Sequence, residues 1–350
     1  MLGRFIRVSM TLLSKEHTHL PKSPLFCGIL SNTLLSTVPG LSGAGPNPLG
    51  SLMVPNLDAE LIMQGRITSC DATPNTQSGC PTPASITRSM TELAGFPLLL
   101  INAGLVHEPI VPCLDLNTCP GGDPRDGPSV PDAETLYHWG RWAGRFFSGT
   151  YDTLVIGECV PGGTTTALCV LRTLGYDAHV SSAAVSSPSQ LKEEIYASVS
   201  SRISDKGILD PLSVIRETGD PMMAVASGII STYTGKIYLA GGTQMLAVAA
   251  VAKGLSMQPP DVITTVYVRN DVSANCSEIA EQIGVSLTVV DPDFGSLAHS
   301  GLVRYCIGEV KEGMGAGGAI FLAHRMGYEL PEIKDAILRF VTSYCPSKPL

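Results

Sequence analysis

Apolar residues recur along this chain in two alternating modes, short unbroken runs and longer stretches with every third or fourth position apolar. The runs at 25–30, 97–102, 153–157, 177–183, 236–240, 262–268 and 286–290 predict buried strands. Between them lie helix-length segments. Residues 83–94 place Ile86, Met90 and Leu93 on one face, and 132–147 carry Leu136, Trp139, Trp142, Ala143 and Phe146. In 188–204, Leu191, Ile195, Val199 and Ile203 repeat every four residues with polar residues between. Segment 221–232 opens on Pro221, which suits a first helical turn; 243–253 follows Gly241-Gly242, and 273–283 follows Asp271. This alternation predicts an α/β fold, Rossmann-like, with a largely parallel sheet and helices on both faces. The terminal segments are expected to add a small lobe. The Pro/Gly-rich stretch 108–131 reads as a long loop, and no internal repeat is visible.

Ligands of such sheets bind beyond the carboxyl ends of the strands, which here selects the loops at 157–165 and 241–243. The first holds Glu158 in Gly157-Glu158-Cys159-Val160-Pro161-Gly162-Gly163-Thr164-Thr165. A Gly-Gly-Thr turn entering a helix offers backbone N–H groups and hydroxyls to an anion, with the helix dipole aiding. Gly162, Gly163, Thr164 and Thr165 are therefore candidate phosphate ligands. A second glycine-flanked block, Gly308-Glu309-Val310-Lys311-Glu312-Gly313-Met314-Gly315-Ala316-Gly317-Gly318, sets a carboxylate where glycines allow close approach, at Gly313 and Gly315. Gly242 and Thr243 form another possible anion turn, although an ordinary strand-to-helix turn explains them equally well. For either glutamate, a solvated turn carboxylate is the simpler alternative.

Composition narrows the function. The net charge of −8 and dispersed Lys and Arg leave no basic stripe for nucleic acid, and no apolar run reaches a membrane span. The ten cysteines include no C-x-x-C and the seven histidines no metal pattern, so reduced core thiols in a cytoplasmic protein without metal or cofactor are expected. Neither G-x-G-x-x-G nor G-x-x-x-x-G-K-[ST] occurs. Residues 1–24 are expected to be a disordered extension, with Met10 as an alternative start, ahead of a single domain over 25–345.

The blocks at 157–165 and 311–318, with Pro39-Gly40-Leu41-Ser42-Gly43-Ala44-Gly45, resemble the nicotinate-nucleotide–dimethylbenzimidazole phosphoribosyltransferase family. Thr82-Pro83-Ala84-Ser85-Ile86-Thr87-Arg88 and Cys119-Pro120-Gly121-Gly122-Asp123 bring the chain nearest to its archaeal and cyanobacterial branch, the UPF0284 family, over about residues 25–342. The resemblance implies transfer of ribose 5-phosphate from nicotinate mononucleotide to a benzimidazole-type base, giving the α-ribazole phosphate of cobamide lower ligands. It implies a homodimer and small-molecule substrates. It maps the family's catalytic glutamate onto Glu312 and its other glutamate onto Glu158, beside a ribose- or phosphate-binding loop. Burial would raise the pKa of Glu312, and Lys311 would oppose the rise. The family loop usually reads G-N-T-T, whereas residue 163 here is glycine, so one side-chain donor is missing. Two rivals remain open: a non-catalytic protein that holds a nucleotide or cobamide precursor, and an enzyme using another donor or base.

Overall fold

The computed structural model describes residues 20–345. The expectation for residues 1–24 lies mostly outside that range, and the first strand already begins at Pro24. Seven strands form one sheet: β1 Pro24–Leu30, β2 Leu98–Asn102, β3 Leu114–Asp115, β4 Thr153–Cys159, β5 Lys236–Ala240, β6 Asp261–Thr265 and β7 Leu287–Val290. Their order is β3-β2-β1-β4-β5-β6-β7, and every pairing is parallel. The order reverses between β1 and β4, which makes that junction the topological switch point where ligands bind in such sheets.

Unbroken apolar runs make these strands because both sheet faces are covered. β1 and β4 are buried along their whole lengths. Alternate positions of β4 meet different helical layers. A Cβ on Gly318, in helix Ala316–Arg325, would touch Val155, while Glu158 reaches Gln244 of helix Thr243–Gly254. The first layer also holds Ala84–Ala94 and Leu330–Tyr344, with Val54–Gln64 packed outside it. The second holds Ala133–Ser148, Gly163–Thr173, Pro221–Thr232 and Cys276–Ile283. Asp220 caps Pro221–Thr232 by accepting from Met223 N–H at 3.3 Å, and proline takes the position whose N–H has no helical partner.

Two expected strands change. Residues 177–183 form no strand, because side chains take the backbone groups a ladder would need. Gln282 accepts the Asp177 N–H at 2.9 Å, Asn275 accepts that of His179 at 2.7 Å, and Lys192 donates to the Ser181 carbonyl at 2.8 Å. The run from 262 stops as a strand at Thr265, whose hydroxyl accepts from Val268 N–H and opens the short helix Val266–Arg269. Within the expected loop 108–131, Leu114–Asp115 pairs as an edge strand. Helices Val54–Gln64, Pro211–Thr218 and Ala316–Arg325 were not predicted; the last is buried on nearly all sides and so lacks an amphipathic period. Among the described residues no helix is long and apolar enough to cross a membrane. All ten cysteines are free thiols, and Cys27, Cys80, Cys159, Cys169 and Cys276 are buried.

Candidate active site

Two loops far apart in sequence meet at the carboxyl end of β4. Gly157 and Gly315 touch backbone to backbone: a Cβ on Gly315 would lie 2.9 Å from the Gly157 Cα. Only a pair of glycines permits that approach. The contact is secured by the Met314 N–H, which donates to the Glu158 carbonyl at 2.8 Å, and by the Thr87 hydroxyl, which donates to the Met314 carbonyl at 2.9 Å. Glu158 and Glu312 are thereby brought into one site.

Glu158 is 4% exposed. Its Oε2 accepts from Val160 N–H at 3.0 Å and from the Gln244 amide at 2.8 Å. Burial, with repulsion from Asp220 and Glu312, pushes its pKa up to about 8. Glu312 is the partly exposed member of the pair. Its carboxylate folds back onto the start of helix Ala316–Arg325 and accepts from Gly313 N–H and Gly317 N–H, each at 3.2 Å. Desolvation raises its pKa to about 7 against the pull of those N–H groups. Lys311 does not supply the expected opposition. Its ammonium turns away to the Ser182 carbonyl at 2.6 Å, the Ala184 carbonyl at 2.9 Å and Asp271 at 3.2 Å. Glu309 also stays outside the site, tied to Arg304, Thr76 and Ser78, which hold its pKa low despite partial burial.

The Gly-Gly-Thr turn starts helix Gly163–Thr173, with Gly162 at φ +81° before it. Its threonines divide their roles. Thr164 Oγ1 accepts from Lys192 at 2.9 Å, whereas the Thr165 hydroxyl is fully buried with no protein partner. Across the turn, Ser36 packs against Gly162, and its hydroxyl too is buried without a protein partner. Thr166 instead donates to Asp220 at 2.6 Å.

Lys192 escaped the sequence reading, because it occupies a polar slot of an amphipathic helix. In the structure it is 2% exposed, inside helix Ser189–Ile203, and donates to Thr164, the Ser181 carbonyl and the Ser182 hydroxyl. Burial lowers its pKa to about 7, with Lys311 adding repulsion and Asp271 opposing it. Two buried ammonium groups thus converge on the 181–184 loop beside the turn. The segment 39–45 closes over that loop, since a Cβ on Gly43 would strike the Ala183 carbonyl. Thr243 begins its helix with a buried hydroxyl that has no protein partner, and the neighbouring Gln244 serves Glu158. Asp115, Asp123 and Asp126 form no shared site: Asp115 caps its own turn and Arg125 clamps Asp123. A cavity of about 390 Å³ lies beyond Lys311, lined by Tyr267, Asp271, Phe294 and Tyr305 among others; neither glutamate lines it.

No protein-family model matches the chain. The fold is shared with the crystal structure of nicotinate-nucleotide-dimethylbenzimidazole phosphoribosyltransferase from Thermus thermophilus, with a TM-score of 0.59 at 16% identity, covering 94% of this chain and 87% of that one. A structure of CobT from the same organism gives a TM-score of 0.57 at 15% identity, with the same coverage. Sequence relatives are much nearer. A UPF0284 protein of Thermococcus onnurineus is 43% identical over 315 residues, covering 88% of this chain and 94% of its own. Another, from Methanosarcina acetivorans, is 38% identical over 341 residues, covering 94% and 97%. With such identity across nearly the full length of both partners, this chain belongs to the UPF0284 family.

Proposed function

We propose that this protein is a pentosyltransferase that moves ribose 5-phosphate from nicotinate mononucleotide to a benzimidazole-type base. The observation that carries the reading is the pairing of Glu158 and Glu312, two desolvated carboxyls with raised pKa values, beside a helix N-terminus served by a buried lysine. Strongly perturbed carboxyls at the carboxyl ends of β4 and β6 in a parallel sheet favour proton transfer over structure.

In the reaction, one ring nitrogen of the base attacks the anomeric carbon of the donor ribose. The bond from that carbon to the nicotinate nitrogen breaks, and its electron pair returns to the pyridinium, which leaves as a neutral ring. The other nitrogen of the base loses its proton to Glu312. A pKa near 7 suits a general base at neutral pH, a role that contributes roughly 10²–10⁴-fold. Glu158, protonated at the same pH, is suited to donate a hydrogen bond to the ribose. The Gly163 and Thr165 N–H groups already donate to the Val160 and Gly162 carbonyls at 2.9 Å, so the 5-phosphate is left to the Gly162 and Thr164 N–H groups, the Ser36 and Thr165 hydroxyls, and Lys192. Opposite charge there would draw Lys192 back to its ammonium form.

The test is to incubate the purified protein with nicotinate mononucleotide and a panel of bases (dimethylbenzimidazole, 5-hydroxybenzimidazole, adenine) and measure released nicotinate. Release that depends on a base supports the transfer. Nucleotide binding without release from any base would favour a non-catalytic binding protein.

A further inference from the structure

We infer that Gln244 is a positioning residue for Glu158, and that glycine at 163 is the space that admits it. Gln244 lies in the first turn of helix Thr243–Gly254, which follows β5, and is 7% exposed. Its Nε2 donates to Glu158 Oε2 at 2.8 Å and lies 3.4 Å from the Val160 carbonyl. Both neighbours are acceptors, which fixes the orientation of the amide. A Cβ on residue 163 would fall 2.2 Å from that Nε2 and 3.0 Å from the Gln244 Cδ. The backbone gives no reason for glycine there, since Gly163 has no positive φ and starts a regular helix. The glutamine is the main obstacle to a side chain there, and the Val160 Cβ, 3.1 Å away, is a lesser one.

This arrangement decides how Glu158 presents itself. Val160 N–H and Gln244 both donate to Oε2, so Oε2 is the acceptor oxygen and the proton of the neutral acid sits on Oε1, which faces Gly241. The charged groups bearing on Glu158 are Asp220 and Glu312, which favour keeping that proton, while the Gln244 bond favours losing it. Glu158 thus offers an O–H donor matched to a hydroxyl of a bound ribose. That last step rests on the nucleotide reading of the site; the Gln244–Gly163 coupling does not.

The experiment compares wild type with Gln244→Ala, Gly163→Asn and the double variant. Glu158 is titrated by difference infrared, its carboxyl assigned by loss in Glu158→Gln, and nicotinate mononucleotide binding is measured by calorimetry. In Gln244→Ala, Glu158 should hold its proton to higher pH, and binding should weaken about tenfold or more, the effect of one hydrogen bond to an ionisable group. Gly163→Asn should behave alike, because the new side chain expels Gln244. In the double variant the Val160 Cβ, 3.1 Å away, still crowds the asparagine but the glutamine no longer does, so it should recover to within about threefold of wild type, as coupled neighbours do. Gln244→Leu, which keeps the bulk and loses the donor, should match Gln244→Ala and guards against simple collapse. Wild-type behaviour of Gly163→Asn, or a double variant no better than the worse single one, would overturn the inference. Titration shifts with rescue, in a protein that releases no nicotinate, would uphold it while removing the transferase reading.

Discussion

Replacing Glu158 with glutamine should stabilise the protein in alkali and leave it unchanged in mild acid. The fold moves the ionisation of this carboxyl from 4.5 to about 8. Between those values the folded chain keeps a proton that the unfolded chain has released. Stability from this group therefore falls as pH rises from 4.5 to about 8 and is level above that. At about 1.4 kcal/mol per pKa unit, the carboxyl costs about 3 kcal/mol at pH 7 and about 5 kcal/mol at pH 9. The larger figure is a ceiling, because Asp220 and Glu312 repel Glu158 and share its protons. Glutamine has the same shape as the neutral acid. Its carbonyl can accept from Val160 and Gln244, and its amide N–H stands where the acid proton was. Urea unfolding of both proteins at several pH values reads the effect as a difference in midpoint at constant slope. The difference should be near zero at low pH and widen toward pH 9. A difference that stays flat across this range would show that Glu158 ionises normally, and the assignment of a neutral acid would fall.

Glu312→Gln should lower nicotinate release by roughly 10²–10⁴-fold while nucleotide affinity holds, since the swap keeps shape and removes the proton acceptor; near-normal turnover in a stopped assay would end the general-base assignment. The rate of the wild type should rise with pH through about 7 as Glu312 deprotonates, and fall through about 8 as Glu158 loses its proton. That narrow bell belongs to the pair, and its alkaline limb should vanish in Glu158→Gln. Lys192→Met should raise the dissociation constant for nicotinate mononucleotide by roughly 10–100-fold, the worth of a hydrogen bond to a charged group, with little change for the free base; unaltered binding in calorimetry would move the phosphate elsewhere. Turnover should persist in excess EDTA, because the donor carries a monophosphate and its leaving group departs neutral, so no diphosphate charge calls for a divalent ion.

Where the chain reads plainly as sequence, the cause is local. β4 shows as the apolar run Leu154–Ile156 because both of its faces are covered, and helix Pro221–Thr232 opens on a proline that suits a first helical turn. The same locality misleads at 177–183, where a strand-like composition is overruled by Asn275, Gln282 and Lys192 taking its backbone groups. Helix Ala316–Arg325 was illegible for the opposite reason: buried nearly all round, it shows no period to read.

The site divides along the same line. Glycine-flanked glutamates, and a turn that opens a helix, announce themselves in the sequence because backbone freedom and carboxyl chemistry are properties of a few adjacent residues. Three things were settled only by folding. Gly157 and Gly315 had to touch for Glu158 and Glu312 to act on one another. The direction of a long side chain depends on its surroundings, so Lys311 turned to Asp271 while the unremarked Lys192 reached the threonine of the anion turn. The glycine at 163, an unexplained loss of a donor in the sequence, became intelligible once Gln244 was seen to occupy its space. Sequence determines which groups a chain owns and where its backbone can bend. Desolvation, and the meeting of groups from distant segments, are products of packing, and they set how the carboxyls of this site hold their protons.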